Sequence, residues 1–225
     1  MWPAPGLPSF PVPPCEPAVP MSQPNPLRTS RFLKSVHELA QLPPDSQLEV
    51  AIAGRSNAGK SSAINAIVDQ NALARTSKTP GRTQQLVYFQ VAPQRYLVDL
   101  PGYGYAKVPP ALREHWEGLI DAFFRSRETL VGLVVVMDIR HPLRDFDRQM
   151  LDYGSARGLG CHVLLTKADK LPRGQQAKTL LELQRALGGF ATAQLFSAES
   201  KQGVEQARGV LAHWLGLAPA GTSAG

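Results

Sequence analysis

An eight-residue segment near position 57 has the residue types and spacing of a loop that binds phosphate. Its pattern is G-x-x-x-x-G-K-S, formed by Gly54, Arg55, Ser56, Asn57, Ala58, Gly59, Lys60 and Ser61. The glycines allow a tight bend in which backbone N–H groups point at phosphate oxygens. We expect Lys60 to reach the terminal phosphates and the Ser61 hydroxyl to ligate Mg²⁺. A glycine turn without a ligand is the alternative, but the apolar run Leu48–Ala53 before the segment and a helical pattern after it favour the phosphate loop.

A second segment with suitable chemistry consists of Asp99, Leu100, Pro101 and Gly102. It follows a predicted strand, at the carboxyl edge where open α/β sheets bind ligands. The Asp99 carboxylate can hold Mg²⁺ through water, and the Gly102 N–H can bond the γ-phosphate. Asp is also a common turn former at strand ends, so this segment alone does not decide between the two roles.

A third segment, formed by Thr166, Lys167, Ala168 and Asp169, has the chemistry to read a guanine base. An ionised Asp169 accepts two hydrogen bonds, and guanine offers a pair of donors that adenine lacks. Lys167 can lay its aliphatic stem along the purine face. A surface turn is the alternative. Phe196, Ser197 and Ala198 lie at the end of the last predicted strand, where a backbone N–H of one of them could reach guanine O6. This tripeptide alone is not a specific motif.

The remainder of the chain predicts an α/β fold that brings these segments together. The strand-like runs are Leu48–Ala53, Leu86–Val91, Tyr96–Leu100, Val131–Met137, Cys161–Thr166 and Gln194–Ser197. The helix-like runs are Lys60–Asp69, Pro110–Arg125, Leu143–Arg157, Gly174–Leu187 and Val204–Leu215. This alternation indicates three α/β/α layers around a mostly parallel six-stranded sheet. The short link before Tyr96 can close only a hairpin, which makes one strand antiparallel. Residues 70–85 are expected to form a mobile loop.

The composition fits one globular domain with two tails. Hydrophobic residues make up 43% of the 225 residues and charged residues 19%, as in folded proteins. The first 26 residues hold ten of the 20 prolines, which predicts a disordered tail at 1–27, a domain at 28–217 and a C-terminal tail at 218–225. No apolar stretch approaches the roughly 18 residues of a membrane span. Two cysteines without metal or disulfide spacing favour a cytoplasmic protein.

The charge balance is compatible with a polyanionic partner such as RNA. Lys and Arg outnumber Asp and Glu by 24 to 18, which gives a net charge of +6 and a pI of about 9.5. Residues 75–78 and 140–144 form two basic stretches that could contact phosphates. Solvated loops of an ordinary basic protein are an equally good explanation.

Four segments together closely resemble the EngB-type (YihA/YsxC) bacterial GTPases, which belong to the TrmE–Era–EngA–YihA–septin group. These segments are residues 54–62, 76–84, 99–106 and 166–169. The resemblance covers residues 28–217, leaving out both tails. It implies a P-loop NTPase G domain that binds GTP and GDP with Mg²⁺. It also implies a monomeric switch in the assembly of the large ribosomal subunit, bound to its precursor or rRNA and necessary for normal septation and cell division.

The resemblance also implies roles for single residues. Thr83 would be the second side-chain ligand of Mg²⁺ beside Ser61, and a switch loop would close over the nucleotide with Gly81, Arg82, Thr83, Gln84 and Gln85. An Asn at position 57 resembles a potassium ligand of related GTPases, which suggests the hypothesis that K⁺ supplies transition-state charge. The predicted catalytic residues are therefore Lys60, Thr83 and Asn57.

Two departures from the general GTPase pattern affect the expected mechanism. Thr166 stands where many GTPases have Asn, a choice that the EngB family shares, so one supporting hydrogen bond should differ. Tyr103 stands where Ras-like enzymes place the glutamine that orients water, so we expect slow hydrolysis that a partner or K⁺ stimulates. Two other functions stay open: an interaction protein of the division apparatus with incidental hydrolysis, and a P-loop ATPase or small-molecule kinase, against which Asp169 argues.

Overall fold

The computed structural model describes residues 24–44, 47–74, 85–102 and 110–217, and of residues 110–117 only the backbone. Seven strands occur in these ranges: β1 (Arg31–Val36), β2 (Leu48–Gly54), β3 (Leu86–Ala92), β4 (Arg95–Asp99), β5 (Leu130–Asp138), β6 (Gly160–Thr166) and β7 (Ala191–Leu195). The α-helices there are α1 (Lys60–Val68), α2 (Pro110–Ser126), α3 (Asp145–Ala156), α4 (Arg173–Leu187) and α5 (Val204–Trp214).

One sheet contains all of these strands, in the order β1-β3-β4-β2-β5-β6-β7. Strands β4, β2, β5, β6 and β7 run parallel to their neighbours in that series, whereas β3 is antiparallel to both β1 and β4. This confirms the predicted mostly parallel sheet with one antiparallel strand. The β3–β4 hairpin closes through Gln94, which adopts a left-handed φ of 57°.

Helices cover both faces of the sheet, which confirms the three-layer α/β/α architecture. Because successive strand residues point to opposite faces, Ala51 and Ala53 of β2 join one core, whereas Val50 and Ile52 join the other. The first core contains buried side chains of α2, α3 and α4, among them Phe123. The second contains those of α1 and α5. Both faces of β2 are therefore dry, as expected of a central parallel strand.

The predicted strand count of six is wrong, because β1 was missed. Its sequence, RFLKSV, does not alternate between apolar and polar residues. A register irregularity between Phe32 and Lys34 interrupts its pairing with β3. Phe32 and Leu33 are both exposed, and Val36 alone in β1 is buried. An edge strand with a bulge thus lacks the period of two on which strand prediction depends.

The predicted bounds of the last strand are displaced by a few residues. Strand β7 spans Ala191–Leu195 instead of Gln194–Ser197, so Phe196 and Ser197 lie in the loop that follows it. Helix α3 begins at Asp145, two residues after the predicted start at Leu143, which itself has a left-handed φ of 54°.

Several predictions fall outside the described ranges. These include residues 1–23 and 218–225 of the two predicted tails, residues 75–84 of the predicted loop, and Tyr103. The described chain nevertheless includes part of the segment assigned to the N-terminal tail: Leu27 is fully buried, and the Asn25 amide donates a hydrogen bond to the Ile67 carbonyl at 3.0 Å. The boundary at residues 27 and 28 stays a prediction. No helix within the described ranges is long and apolar enough to cross a bilayer.

Candidate functional site

The three predicted segments meet at the carboxyl edge of the parallel strands. In the register of the sheet, Ile52 is opposite Asp99, and Gly54 is opposite Val136. Asp138 at the end of β5 is opposite Thr166 at the end of β6. Parallel strands place all their carboxyl ends at one edge, where α/β folds bind ligands. The three segments, which are far apart in the sequence, therefore lie together in one candidate site.

The segment Gly54–Ser61 forms a tight loop between β2 and α1. A Cβ on Gly54 would lie 2.9 Å from the Val136 carbonyl oxygen of β5, so a larger residue would push the strands apart. Two left-handed residues turn the chain, Asn57 with a φ of 61° and Gly59 with a φ of 94°. The Ala58 N–H closes a turn onto the Arg55 carbonyl at 3.0 Å. Gly59 then caps α1, whose N-terminal N–H groups and positive dipole end favour an anion at this loop.

The Lys60 ammonium forms an ion pair with the Asp99 carboxylate across the site. Their side chains are only 11% and 12% exposed. Burial raises the pKa of the Asp99 carboxyl, and the charge and hydrogen bond of Lys60 oppose that shift. The two predicted phosphate and metal residues are therefore in contact, and Lys60 is held where a further anion would meet its charge.

The oxygen donors of this corner fit a magnesium ion held together with phosphates. Ser61 follows Lys60 at the start of α1, and Asp99 supplies a carboxylate beside it. Hydroxyl and carboxylate oxygens are hard ligands of the kind that Mg²⁺ prefers, and nucleotide phosphates usually complete its shell. In the part of the chain that the structure describes, no three His, Cys, Asp or Glu side chains cluster as a metal site. A bound Mg²⁺ would neutralise phosphate charge, with Ser61 and Asp99 orienting it.

Thr166 connects the predicted guanine segment to the phosphate loop. Its buried hydroxyl lies within hydrogen-bond distance of the Ala58 carbonyl and, at 3.0 Å, of the Met137 carbonyl. The expected difference from an Asn at this position stays a prediction. The shorter side chain still reaches the loop, because β6 ends close to it.

Lys167 makes a second connection to the phosphate loop. Its ammonium donates to the Asn57 carbonyl at 2.7 Å and contacts the Asp138 carboxylate at 3.0 Å. Its backbone is left-handed, with a φ of 58°. Together with Thr166, this lysine makes the phosphate loop and the guanine segment one contiguous surface.

Asp169 is held as an ionised hydrogen-bond acceptor. The Ser197 hydroxyl donates to one carboxylate oxygen at 2.6 Å, and the Lys170 ammonium lies 2.9 Å from the other. These two contacts, the Ser197 hydrogen bond first, lower the pKa of the Asp169 carboxyl. Ser197 is itself fully buried. The carboxylate that would read guanine is therefore charged and oriented from the loop after β7.

In the tripeptide Phe196–Ala198, two backbone N–H groups donate hydrogen bonds within the protein, and the third is available to a ligand. The Phe196 N–H donates to the Leu165 carbonyl at 2.8 Å, and the Ser197 N–H donates to the Gln202 carbonyl at 2.9 Å. Among the described residues, no partner is found for the Ala198 N–H. It is accordingly the one group of the three that can donate to guanine O6.

Sequence reasoning missed Asp138, which also faces this site. Arg140 donates to both oxygens of its carboxylate, at 2.9 and 2.7 Å, and Lys167 contacts one of them. Burial raises the pKa of Asp138, but the hydrogen bonds from Arg140 and Lys167 outweigh it, and the net shift is downward. A strand-ending Asp at the carboxyl edge was the available signal, the same one that drew attention to Asp99.

The structure describes only part of the predicted switch segments. Gln85 is half-buried just before β3, and Gly102 packs on the phosphate loop, where a Cβ would lie 3.6 Å from the Ser56 Cα. Gly81, Arg82, Thr83 and Gln84 lie outside the described residues, so the predicted roles of Thr83 stay predictions.

Comparison with known families identifies close relatives over most of the chain. A family model described as 50S ribosome-binding GTPase matches residues 49–167. A probable GTP-binding protein EngB of Stenotrophomonas maltophilia (strain K279a) is 63% identical over 195 residues, which are 85% of this chain and 98% of that protein. A protein of the same name from Xanthomonas axonopodis pv. citri (strain 306) is 61% identical over 195 residues, covering 85% of this chain and 91% of its own length.

Solved structures agree on the fold. The crystal structure of a probable GTP-binding protein engB superposes with a TM-score of 0.61 at 18% identity, covering 74% of this chain and 98% of its own. A bacterial selenocysteine-specific elongation factor gives a TM-score of 0.56 at 19% identity, covering 76% of this chain and 29% of its own. Since both identities are low, these two structures support the architecture alone.

Proposed function

Since the chain belongs to the EngB family of GTP-binding proteins, we propose that it is a Mg²⁺-dependent GTPase that acts as a switch in assembly of the large ribosomal subunit. Its GTP-bound form would dock on a precursor of that subunit, and hydrolysis to GDP and phosphate would release it. A monomeric cytoplasmic protein suits this role, and a defect in septation or cell division would follow from failed ribosome assembly.

The observation that carries the nucleotide part of the proposal is the contact between the phosphate loop and the guanine segment. The Thr166 hydroxyl and the Lys167 ammonium both reach carbonyls of the loop. A polyphosphate on the loop and a purine beside Asp169 would then belong to one molecule. The ionised Asp169 carboxylate pairs with the two donors of guanine and leaves ATP without a match.

The chemistry expected of this site is charge neutralisation and positioning. Lys60 would stabilise charge on the β- and γ-phosphates, and Mg²⁺ would be held beside Ser61 and Thr83. Asn57 is the residue on which K⁺ would depend, and its left-handed backbone projects it from the loop. Comparing GTP turnover in KCl and NaCl tests the potassium hypothesis, which equal rates would end.

The ribosomal part of the proposal draws on charge and on the description of the matching family. A net charge of +6 is compatible with an RNA partner. The loop after β5 carries Arg140 and Arg144, and both are exposed at the carboxyl edge beside the nucleotide site. An RNA contact there would sense the state of the nucleotide directly.

The decisive experiment for nucleotide recognition is a calorimetric titration of GDP, GTP and ATP with Mg²⁺ present. We expect saturable binding of GDP and GTP and none of ATP. Asp169→Asn should weaken GDP binding by ~100-fold or more and improve binding of xanthosine diphosphate, because the new amide complements the changed base. Unchanged preference for GDP in the variant would remove Asp169 from base recognition.

Co-sedimentation of the protein with ribosomal subunits distinguishes a switch in ribosome assembly from an interaction protein of the division apparatus. GTP-dependent recovery with large ribosomal subunits is expected, and recovery should fall with GDP. Nucleotide binding without any recovery on the large subunit, together with recovery in septal fractions, would favour the interaction protein. Lys60→Ala should abolish nucleotide binding and with it the GTP-dependent recovery. Because this change leaves the buried Asp99 carboxylate without its ion-pair partner, the stability of the variant is measured alongside.

A further inference from the structure

Lys167 is fixed at two points. The Asn57 carbonyl accepts a hydrogen bond from its ammonium at 2.7 Å, and Asp138 lies 3.0 Å away on the other side. The side chain is still 32% exposed. A lysine with that access to water keeps its ammonium in one place only when a partner holds it, since a fixed side chain loses rotamer entropy.

The backbone at Lys167 adds a second observation. Its φ of 58° lies in the left-handed region, which is unfavourable for a residue other than glycine. Glycine would fit this conformation without cost. Glycine, however, could not supply the two contacts that the Lys167 ammonium makes.

We infer that Asp138 is a positioning residue for guanine-nucleotide binding, which acts by holding the Lys167 ammonium against the phosphate loop. This inference rests on the proposed function. Held in this way, the aliphatic stem of Lys167 spans from the guanine segment to Asn57, so a purine beside Asp169 would find a preformed apolar surface. Asp138 contacts neither base nor phosphate in this role and acts through Lys167.

Arg140 supports this arrangement from the outer side. Its guanidinium occupies both Asp138 oxygens and its side chain is 46% exposed, whereas that of Asp138 is 15% exposed. The two cations keep the carboxylate charged, consistent with the lowered pKa of Asp138. The competing explanation is that Asp138 serves only to order the loop that begins with Arg140.

A double-mutant cycle on the full chain separates these explanations, with GDP affinity and nucleotide-free stability measured for each variant. Asp138→Asn keeps the size and one acceptor oxygen but removes the charge. Lys167→Met keeps the apolar stem but removes the ammonium. We expect Asp138→Asn to raise the Kd for GDP by about three- to fivefold and Lys167→Met by about tenfold. The double variant should bind no more weakly than Lys167→Met, because Asp138 then has no ammonium to hold.

Multiplication of the two single effects in the double variant would overturn the inference. Asp152→Asn, an exposed carboxylate of α3, is the matched control for removing one negative charge. Should Asp138→Asn unfold, Asp138→Glu keeps the charge and displaces the carboxylate, and the same cycle with Lys167→Met applies. Failure of the wild-type chain to bind GDP would instead refute the proposed function.

Discussion

At the scale of single residues, the site depends on hydrogen bonds that join segments far apart in sequence. Thr166 is the clearest case, because its hydroxyl reaches a carbonyl 108 residues earlier in the chain as well as the Met137 carbonyl. The single hydroxyl proton can donate to either of these two buried carbonyls. Removing it would leave both carbonyls without this donor, away from water.

Thr166→Val tests this hydroxyl with almost no change in shape. We expect a loss of ~1–2 kcal/mol in the free energy of unfolding, the usual cost of leaving a buried acceptor without its donor. The Kd for GDP should rise by about tenfold, because the phosphate loop and the guanine segment lose one of their two connections. Chemical denaturation and calorimetry with GDP measure the two effects.

Thr166→Ser is the matched control for that experiment, since it keeps the hydroxyl and removes a methyl group. It should bind GDP within about twofold of the wild type. If Val and Ser variants bind GDP equally well, the hydroxyl does not connect the two segments.

The sequence predicted which residues lie at the site more readily than it predicted their hydrogen-bond partners. The locations of Lys60, Asp99 and Asp169 follow from local patterns, since Lys60 begins α1, Asp99 ends β4 and Asp169 lies three residues after β6. The hydrogen bond from Ser197 to Asp169 does not, because it joins loops 28 residues apart whose approach depends on the β6–β7 pairing. Asp138 could have been found as a strand-ending Asp, but its contact with Lys167 could not, because that contact depends on the β5–β6 pairing.

At the scale of elements, helix α5 is seated by one large side chain on two glycines of the sheet. Trp214 packs over Gly132 of β5 and Gly160 of β6. A Cβ on Gly132 would lie 2.3 Å from the Trp214 ring, and one on Gly160 would lie 3.0 Å from it. The absence of side chains on these strands at this point creates the space that the indole fills.

Gly132→Ala should therefore destabilise the fold despite adding only one methyl group. We expect a loss of ~1–3 kcal/mol, since the indole must leave its position and α5 must shift with it. Gly209→Ala in the same helix is the matched control: nothing lies within 4 Å of its added Cβ, and alanine raises helix propensity by up to ~1 kcal/mol. Equal stability of the two variants, measured by urea denaturation, would contradict this account of how α5 is seated.

The prediction of helices and strands succeeded where the pattern of burial is simple, and it failed at the edge strand β1. The run Leu130–Asp138 is apolar almost throughout because helices cover both of its faces. Strand β1 pairs on one side only and carries a bulge, so its pattern resembles a loop. The displaced bounds of β7 have a related cause: Phe196 is fully buried like a strand residue, although it lies beyond the last strand pairing.

At the scale of the whole molecule, the two ends of the parallel strands differ in what they carry. The carboxyl edge carries the candidate site, whereas the opposite edge carries a buried ion pair between Glu49 and Arg127. These side chains are 0% and 3% exposed, and Tyr88 donates a further hydrogen bond to Glu49 at 3.2 Å. Since an unpaired buried charge is costly, loss of either partner would destabilise the fold. The pair connects the start of β2 to the segment just before β5, at the end of these strands away from the candidate site.

A buried histidine makes the stability of this framework depend on pH. His162 of β6 is 2% exposed beneath Trp214. Its Nε2–H can donate to the side-chain Oε1 of Gln194 at 2.9 Å, because the Nε2 of Gln194 donates to the Gly203 carbonyl. The Nδ1 of His162 can then accept from the Thr192 hydroxyl at 2.6 Å. The neutral ring is thus satisfied at both nitrogens. Burial lowers the pKa of His162 from 6.5 to about 4, with the Gln194 hydrogen bond opposing the shift.

The unfolded chain therefore binds a proton at His162 more readily than the folded protein does. The resulting stability is fully present above pH 6.5 and is lost as the pH falls toward about 4. The loss from this residue amounts to ~3 kcal/mol over that range. We expect His162→Gln to be less stable at pH 7.5 but to lose less of its stability between pH 6.5 and 4.5 in urea denaturation. His213→Gln, at an exposed position of α5, should retain the wild-type slope. If the His162 variant also kept that slope, the buried imidazole would not be the group that takes up the proton.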